Sequence, residues 1–328
     1  MGLTVDRTLQ GGRLPAGAVT AQVTDDAGVR RAAAVAGDAW AVVLEQPCEG
    51  RVSPVCFRDA SSRLVAPALP ADWVRTPVLD AGEACPACGE EAGWDEARAG
   101  DASRGMRGPG MEPTPFVVCR ACGYEHSVGA FLTATWEEPD PEELARLTRA
   151  DEEELRRRGQ DALRGVRFPV YAARGWTGRI AGWGSSGGTM SSVAVEHGAP
   201  AGEAGPALWV QTEHEPDRHE SLRACARSTL AGALSEDVTA WPERSNAGLA
   251  ILLDVRERER LRIAARAIAD DRTLLVDGEP TSFATVAAGR RWVAVARRGA
   301  LVISASARDV DIGAVELAAL ADPLRELE

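Results

Sequence analysis

Four of the seven cysteines come in two C-x-x-C pairs: Cys85 with Cys88, and Cys119 with Cys122. Zinc prefers four soft ligands in a tetrahedron, and two thiolates spaced by two residues can face one ion. Gly89 and Gly123 follow the second cysteine of each pair, where the backbone must turn sharply beneath the metal. Four thiolates leave no position for water, so the pattern predicts a structural zinc site.

The alternative chemistry for these cysteines is a redox pair or two disulfides. A redox C-x-x-C needs a thioredoxin-like βαβ context, which the flanking sequence lacks. The spacer between the pairs exceeds the usual ~15–20 residues, and its Gly- and Pro-rich part from Ala99 to Pro115 indicates a loop. Strand patterns flank the second pair, from Phe116 to Val118 and from Tyr124 to Leu132.

Residues 85–126 resemble a zinc ribbon, a small β-hairpin fold held by two such turns. The resemblance implies a four-cysteine Zn²⁺ site with a structural role. It implies no single function, because ribbons occur in transcription and translation proteins, as braces in enzymes, and in interaction modules. His126 follows the last cysteine by four residues, and we expect it on the surface of the outgoing strand.

Composition and charge restrict the partners. The net charge of −12 opposes binding of duplex phosphate by the whole surface, although it does not exclude a local basic patch. All 37 basic residues are arginine, which indicates genomic base composition rather than selection for phosphate contacts. No apolar run is long enough to span a bilayer, and no signal peptide is evident. The odd number of cysteines favours a reducing compartment, so we expect a cytoplasmic protein with no membrane partner.

The pattern of strands and helices predicts a β-rich, multi-domain α+β protein. Alternating apolar residues and Gly-Asp turns indicate a small β-sandwich-like domain at the N-terminus. The predicted domains are a β-rich domain (1–80), a zinc ribbon (81–137), a charged helical linker starting near Asp140 (138–164), and an α+β region (165–328) that could divide into two lobes near residue 240.

Several elements are predicted within the C-terminal region. Four strands are expected between residues 168 and 213, followed by a helix that opens on a capping box from Asp217 to Glu220. Leu261, Ala264, Ala265 and Ile268 have the spacing of a second helix. Asp277-Gly278 predicts a hairpin, and a closing helix is expected from Ile312 to Leu320.

Two patterns in this region resemble catalytic chemistry. Gly184-Ser-Ser186-Gly-Gly188 matches the G-x-S-x-G nucleophile motif, but that motif needs a following helix and the sequence after it indicates a strand. His197, His214 and His219 lie beside glutamates and could form an acid–base or second metal site. Polar strand ends and a helix start explain them more simply.

A run of arginines on the second helix could attract nucleic acid or acidic partners: Arg256, Arg258, Arg260, Arg262 and Arg266. Interleaved glutamates favour a solvated, salt-bridged helix face instead.

The sequence therefore favours a non-enzymatic, zinc-braced binding or scaffold protein whose partner is another protein. The alternatives are a hydrolase-like enzyme near Ser186, His197 and His214, and a nucleic-acid-associated factor that uses the ribbon.

Overall fold

The computed structural model describes residues 7–45, 53–69, 71, 73–98, 116–127, 153–154, 157–186, 189–198, 205–215, 221–234 and 244–327. The chain divides into two compact units, each built from two stretches. The first unit contains residues 1–136 and 240–265, and the second contains residues 137–239 and 266–328. The fold is β-rich with several sheets, as predicted. The predicted division into four domains stays a prediction.

The described part of the first unit holds three small antiparallel sheets, with strand orders β1-β5-β4, β3-β2-β6-β7 and β11-β10-β9-β8. The strands are β1 (Arg7–Arg13), β2 (Thr20–Thr24), β3 (Arg30–Ala32), β4 (Ala34–Ala36), β5 (Ala39–Glu45), β6 (Val55–Arg58), β7 (Leu64–Val65), β8 (Val74–Val78), β9 (Trp94–Arg98), β10 (Phe116–Cys119) and β11 (Glu125–Ser127). The first two sheets share an apolar core in which the rings of Trp40 and Phe57 meet edge to face.

The third sheet contains two strands that the sequence pattern did not indicate, β8 and β9. Strand β8 carries Pro77, which lacks a backbone N–H and interrupts most strands. Here β8 is the edge of its sheet, where a missing donor is tolerated. The predicted strand at Phe116 and the start of the strand after Tyr124 are confirmed. The predicted loop from Ala99 to Pro115 lies outside the described residues.

The first unit also contains the long helix α3 (Asn246–Arg266). The sequence predicts a helix here, and Leu261 and Ala264 are buried as expected. The predicted extent was wrong, because Ile268 begins the next strand and is 78% exposed. None of the helices in the described ranges is long and apolar enough to cross a membrane.

The second unit is organised around a nine-stranded sheet with the order β12-β20-β16-β17-β18-β19-β15-β14-β13. Its strands are β12 (Tyr171–Ala173), β13 (Gly178–Ser186), β14 (Thr189–Gly198), β15 (Ala207–His214), β16 (Ile268–Val276), β17 (Glu279–Ala288), β18 (Arg291–Arg298), β19 (Leu301–Arg308) and β20 (Glu316–Ala319). The four strands predicted between residues 168 and 213 are confirmed. The sheet curls strongly, since β12 at one edge donates backbone N–H groups to side chains of β14 and β15.

The helical segments that the structure describes in the second unit include α1 (157–164), α2 (Leu222–Ala233) and α4 (Pro323–Glu326). Helix α2 buries Cys225 as predicted, and Ser221 caps it, with its Oγ accepting from the Ala224 N–H at 3.1 Å. The proposed capping box, from Asp217 to Glu220, and the predicted helix start at Asp140 lie outside the described residues.

The predicted closing helix from Ile312 to Leu320 was wrong. A 3-10 turn (Ile312–Ala314) is followed by β20, which pairs parallel with β16 and antiparallel with β12. Val315 and Leu317 are buried at a spacing of two, as a strand requires. A short apolar run such as Val315 to Leu320 fits both the helical period of about 3.6 residues and the strand period of 2. Pairing with β12 and β16 selects the strand.

The predicted Asp277-Gly278 hairpin is confirmed, and Asp277 also ties this turn to two other strands. Asp277 adopts a left-handed φ of 55° at the β16–β17 turn. Its carboxylate accepts hydrogen bonds from the Ala319 N–H at 2.8 Å and from Arg298 at 2.6 Å. Burial alone would raise the pKa of Asp277, but these two donors hold the pKa below its usual range.

We predict that Asp277→Asn destabilises the second unit by about 1 kcal/mol at pH 7, because asparagine tolerates the left-handed backbone but loses the ion pair. A carboxyl whose pKa is lowered by folding stabilises the fold above about pH 4, and this contribution disappears as the pH falls through the folded pKa. The difference between variant and parent should therefore shrink toward pH 2.

Urea unfolding of the second unit, followed by circular dichroism at several pH values, measures this difference. Asp270→Asn, at an exposed ion pair with Arg272, is the matched control and should change little. A destabilisation by Asp277→Asn that is the same at all pH values would contradict the assigned role of the carboxylate.

Candidate metal centre

The two cysteine pairs sit in turns with the same backbone hydrogen bonds. We call residues 85–90 the first knuckle and residues 119–124 the second knuckle. In the first, the Gly89 N–H donates to the Cys85 carbonyl at 2.7 Å and the Cys85 N–H to the Glu90 carbonyl at 3.1 Å. In the second, the Gly123 N–H and the Tyr124 carbonyl make the equivalent bonds with Cys119, at 2.8 and 3.0 Å.

Each knuckle turns through a glycine with a left-handed backbone, with φ of 78° at Gly89 and 71° at Gly123. Other chain segments also pass close to these glycines. A Cβ on Gly89 would lie 2.6 Å from Nη2 of Arg30, which donates to the Cys88 carbonyl. A Cβ on Gly123 would lie 2.6 Å from Cδ of Pro67. The backbone conformation therefore favours glycine at both positions, and the close approach of Pro67 adds a restriction on space at Gly123.

The two knuckles bring their sulfur atoms into one buried cluster. All four Sγ atoms lie within 4.8 Å of one another, and each cysteine is at most 3% exposed. Across the knuckles, Sγ of Cys85 is 3.6 Å from Sγ of Cys122, and Sγ of Cys88 is 3.9 Å from Sγ of Cys119. Such a cluster could hold a metal ion such as zinc.

The dimensions of the cluster fit a tetrahedral thiolate site. With Zn–S bonds of about 2.3 Å, the edge of a regular tetrahedron is about 3.8 Å. The two cross-knuckle distances are close to this value. All six cysteines in the described ranges are free thiols, so no disulfide competes for these sulfurs.

Without a cation, Cys85, Cys119 and Cys122 can together support little negative charge. Hydrogen bonds from Cys122 and Cys85 lower the pKa of Cys119, so the first thiolate forms there. Hydrogen bonding to that thiolate raises the pKa of Cys85 and of Cys122. A divalent metal removes this conflict because it stabilises four thiolates at once.

Helix α3 is fastened to the segment that leads into the first knuckle. Asp80 accepts hydrogen bonds from the backbone N–H and the hydroxyl of Ser245, which caps the helix. Arg244 donates to the Ala81 carbonyl at 2.6 Å and to Glu83 at 3.0 Å. The apolar start of α3 then packs against the cysteine cluster through Ala247, Ala250 and Ile251.

A second, more buried polar contact joins α3 to the second knuckle. The Tyr124 hydroxyl donates to Asp254 at 3.0 Å and accepts from Arg258 at 3.3 Å. Burial raises the pKa of Tyr124, so its hydroxyl keeps the proton that it donates. Asp254 is 3% exposed and also lies 3.6 Å from Nδ1 of His126. His126 is therefore half-buried against Asp254 and not the surface residue that the sequence predicted.

Sequence analysis missed this network of Tyr124, Asp254 and Arg258. One signal could have found it, because Asp254 is a lone acid after the apolar run Leu249 to Leu253. A carboxylate inside a buried helix face needs a partner. The partner itself is 130 residues away in sequence, so local patterns could not identify it.

Three of the helix arginines form ion pairs within α3, in agreement with the predicted salt-bridged face. Arg262 pairs with Glu259 at 2.6 Å, Arg260 with Glu257 at 3.8 Å and Arg258 with Asp254 at 3.6 Å. This face is less solvated than expected, since the side chains of Arg258 and Arg260 are only 14% and 19% exposed.

The structure does not bring the candidate catalytic residues together. Ser186 pairs with Thr189 at one end of the β13–β14 hairpin, and His197 pairs with Gly178 at the other. Eight residues separate Thr189 from His197 along β14, about 27 Å at the usual rise per residue. Ser192 faces Glu213, so His214 also lies far from His197. His219 lies outside the described residues.

His197 has a structural environment. It is buried, its Nε2 accepts from the Ala173 N–H at 3.1 Å, and its Nδ1 lies 3.1 Å from the Thr177 carbonyl. The ring is therefore neutral with its proton on Nδ1, and burial lowers its pKa accordingly. Nε2 thus holds the edge strand β12, Nδ1 holds the segment that follows it at Thr177, and neither nitrogen is available for proton transfer.

Comparison of the chain with protein-family models, curated proteins and solved structures gives no match. The function must therefore be argued from the site itself.

We predict that Gly123→Ala destabilises the first unit by more than about 2 kcal/mol. The left-handed backbone alone costs about 1–2 kcal/mol for a residue with a Cβ, and the contact with Pro67 adds an overpacking term. Gly82→Ala is the matched control, because Gly82 has a φ of 59° but open space around its Cβ position.

Urea unfolding of both variants separates the cost of the left-handed backbone from the cost of the contact with Pro67. Equal destabilisation by Gly82→Ala and Gly123→Ala would show that the close approach of Pro67 to the second knuckle contributes nothing.

Proposed function

We propose that the four cysteines hold one structural zinc ion and that the protein is a non-enzymatic, zinc-braced binding or scaffold protein. The observation that carries the proposal is the closed cluster of four buried sulfurs supplied by two equivalent knuckles. A zinc ion with four thiolate ligands has no free position for a water molecule or a substrate. Its role is then to stabilise the first unit.

The surroundings of the cluster support a brace. The cysteines lie in an apolar cluster together with Trp94 and Val117 of the ribbon sheet and Ile251 of helix α3. A ribbon sheet of four short strands buries too little apolar surface to be stable alone, and metal binding supplies the missing free energy. The zinc would thereby hold the ribbon and the helix as one body.

The absence of a converged acid–base set supports a binding role over the hydrolase-like alternative. Within the described residues, Ser186, His197 and His214 are separated along the sheet, and His197 is fully hydrogen-bonded. The pairing of the α3 arginines gives no support to a nucleic-acid role. We propose that the partner is another protein and that the compartment is the reducing cytoplasm, because four thiolate ligands must stay reduced.

We predict one zinc ion per chain in freshly purified protein that has not met a chelator. Elemental analysis by mass spectrometry, referred to protein concentration, measures it. Cys85→Ser with Cys122→Ser should remove the metal, whereas Cys225→Ser, a buried cysteine of α2, should retain it. Less than half an equivalent of zinc in the parent protein would overturn the proposal.

We also predict that Cys119→Ser with Cys122→Ser unfolds the first unit and leaves the second unit folded. Amide hydrogen exchange should become fast in β9, β10 and β11, and also in α3, because α3 packs on the cysteine cluster. Strands β16 to β19 have their own core around Phe283 and Ile303 and should keep near-native protection. The matched control is again Cys225→Ser.

Two outcomes would contradict this scheme. Unchanged protection in α3 after loss of zinc would mean that the helix does not depend on the metal. Loss of protection in β16 to β19 would mean that the two units do not fold independently.

A further inference from the structure

The first unit contains a cavity of about 500 Å³ beside the second knuckle. Its lining includes the apolar residues Val55, Phe57 and Pro67. The polar lining residues include Tyr124, Glu125, His126, Asp254 and Arg258. This volume suits a small molecule or one extended side chain, and a mixture of apolar and polar lining residues is typical of ligand sites.

The two carboxylates that line the cavity, Asp254 and Glu125, differ in their partners. The carboxylate of Asp254 already has the Tyr124 hydroxyl and the Arg258 guanidinium as partners. Glu125 is exposed, and its carboxylate has no hydrogen-bond or ion-pair partner among the residues that the structure describes. Since His126 and Arg258 both lie beside Asp254, Glu125 is the lining carboxylate with which a cationic ligand could pair.

The apolar lining residues also favour a cation that is carried on an apolar stem. A cation with an apolar stem could place the stem against Val55 and Pro67, where burial of each methylene contributes about 0.8 kcal/mol. Phe57 also lines the cavity, and the face of an aromatic ring attracts cations by about 0.5–1 kcal/mol at exposed sites. An anion on the same stem would gain the burial but would be repelled by Glu125 and would not be attracted by the ring face.

We propose that this cavity binds an organic cation, an ammonium or guanidinium group on an apolar stem, with Glu125 as its counter-ion. The cation is either a free amine or a lysine or arginine side chain of a partner protein. The proposal deepens the proposed function and rests on it, because Cys122, Gly123 and Tyr124 of the zinc knuckle form part of the cavity lining. A folded second knuckle is therefore needed for the site.

Three isosteric probes test the charge preference on the full-length zinc-bound protein: 2-phenylethylamine, 2-phenylethanol and phenylacetate. Titration followed by NMR or calorimetry should give a dissociation constant of about 1 mM or lower for the amine. The neutral alcohol should bind at least about threefold more weakly and the anion more weakly still. Equal binding of all three probes, or no binding of the amine at 10-fold the expected constant (about 10 mM), would overturn the proposal.

Variants of Glu125 and Val55 test whether the cation binds in this cavity. Glu125→Gln should weaken amine binding about three- to tenfold, and Glu125→Lys should abolish it while phenylacetate binding increases. Glu91→Gln is the matched control, because Glu91 occupies the equivalent position after the first knuckle and does not line the cavity. Val55→Phe places a larger side chain in the apolar part of the cavity and should abolish binding of the amine. Unchanged binding in Glu125→Gln and Glu125→Lys would place the cation elsewhere and refute the assignment.

A second pair of probes distinguishes the source of the cation. Nα-acetyl-arginine methylamide represents a protein side chain, and tighter binding of this compound than of 2-phenylethylamine would indicate a partner protein. The reverse order would indicate a free amine. Zinc content is measured in every variant, so that a cavity that fails to bind while one zinc ion is present refutes this inference alone. Loss of the zinc from the parent protein would refute the proposed function instead.

Discussion

The burial of four sulfur atoms in one apolar cluster is the constraint on which the first unit depends. Four thiols can pack there as weak hydrogen-bonding groups, but four thiolates without a cation would repel one another in a medium of low polarity. The backbone nevertheless holds the sulfurs at separations close to a zinc tetrahedron. A metal ion bound there would supply stability that three short sheets and one helix cannot provide alone.

Helix α3 shows how a distant segment becomes part of that unit. Its first turn is held by Asp80 and Arg244, and its middle is held by the contact of Asp254 with Tyr124. Both polar contacts flank the apolar residues that pack on the cysteines. Polar groups of this kind contribute modest net free energy, but a missing partner is costly, so they fix the position of the helix more than they stabilise it.

The sequence predicts those features that depend on neighbouring residues. The C-x-x-C-Gly spacing specifies each knuckle, and Asp277-Gly278 specifies a hairpin, because both act within a few residues. The strands β8 and β9 and the contact of Asp254 with Tyr124 depend on partners far away in sequence, and no local pattern identifies these partners. The segment from Val315 to Leu320 was wrongly predicted as a helix because its apolar spacing suits both periods, and pairing with β12 and β16 selects the strand. The hydrogen bond between His197 and β12 likewise joins residues that no local pattern connects.

The two knuckles are equivalent in their backbone but not in what surrounds them, and this difference indicates where binding can occur. Arg30 crosses the first knuckle and donates to Cys88, so that side is closed by the protein itself. On the second knuckle, Tyr124 reaches toward α3 and Glu125 lies beside the cavity. A metal site with four protein ligands performs no chemistry on a substrate, so any recognition must come from the surfaces that it holds in place. The second knuckle therefore belongs to both the cysteine cluster and the lining of the cavity, and a metal ion in the cluster would stabilise both.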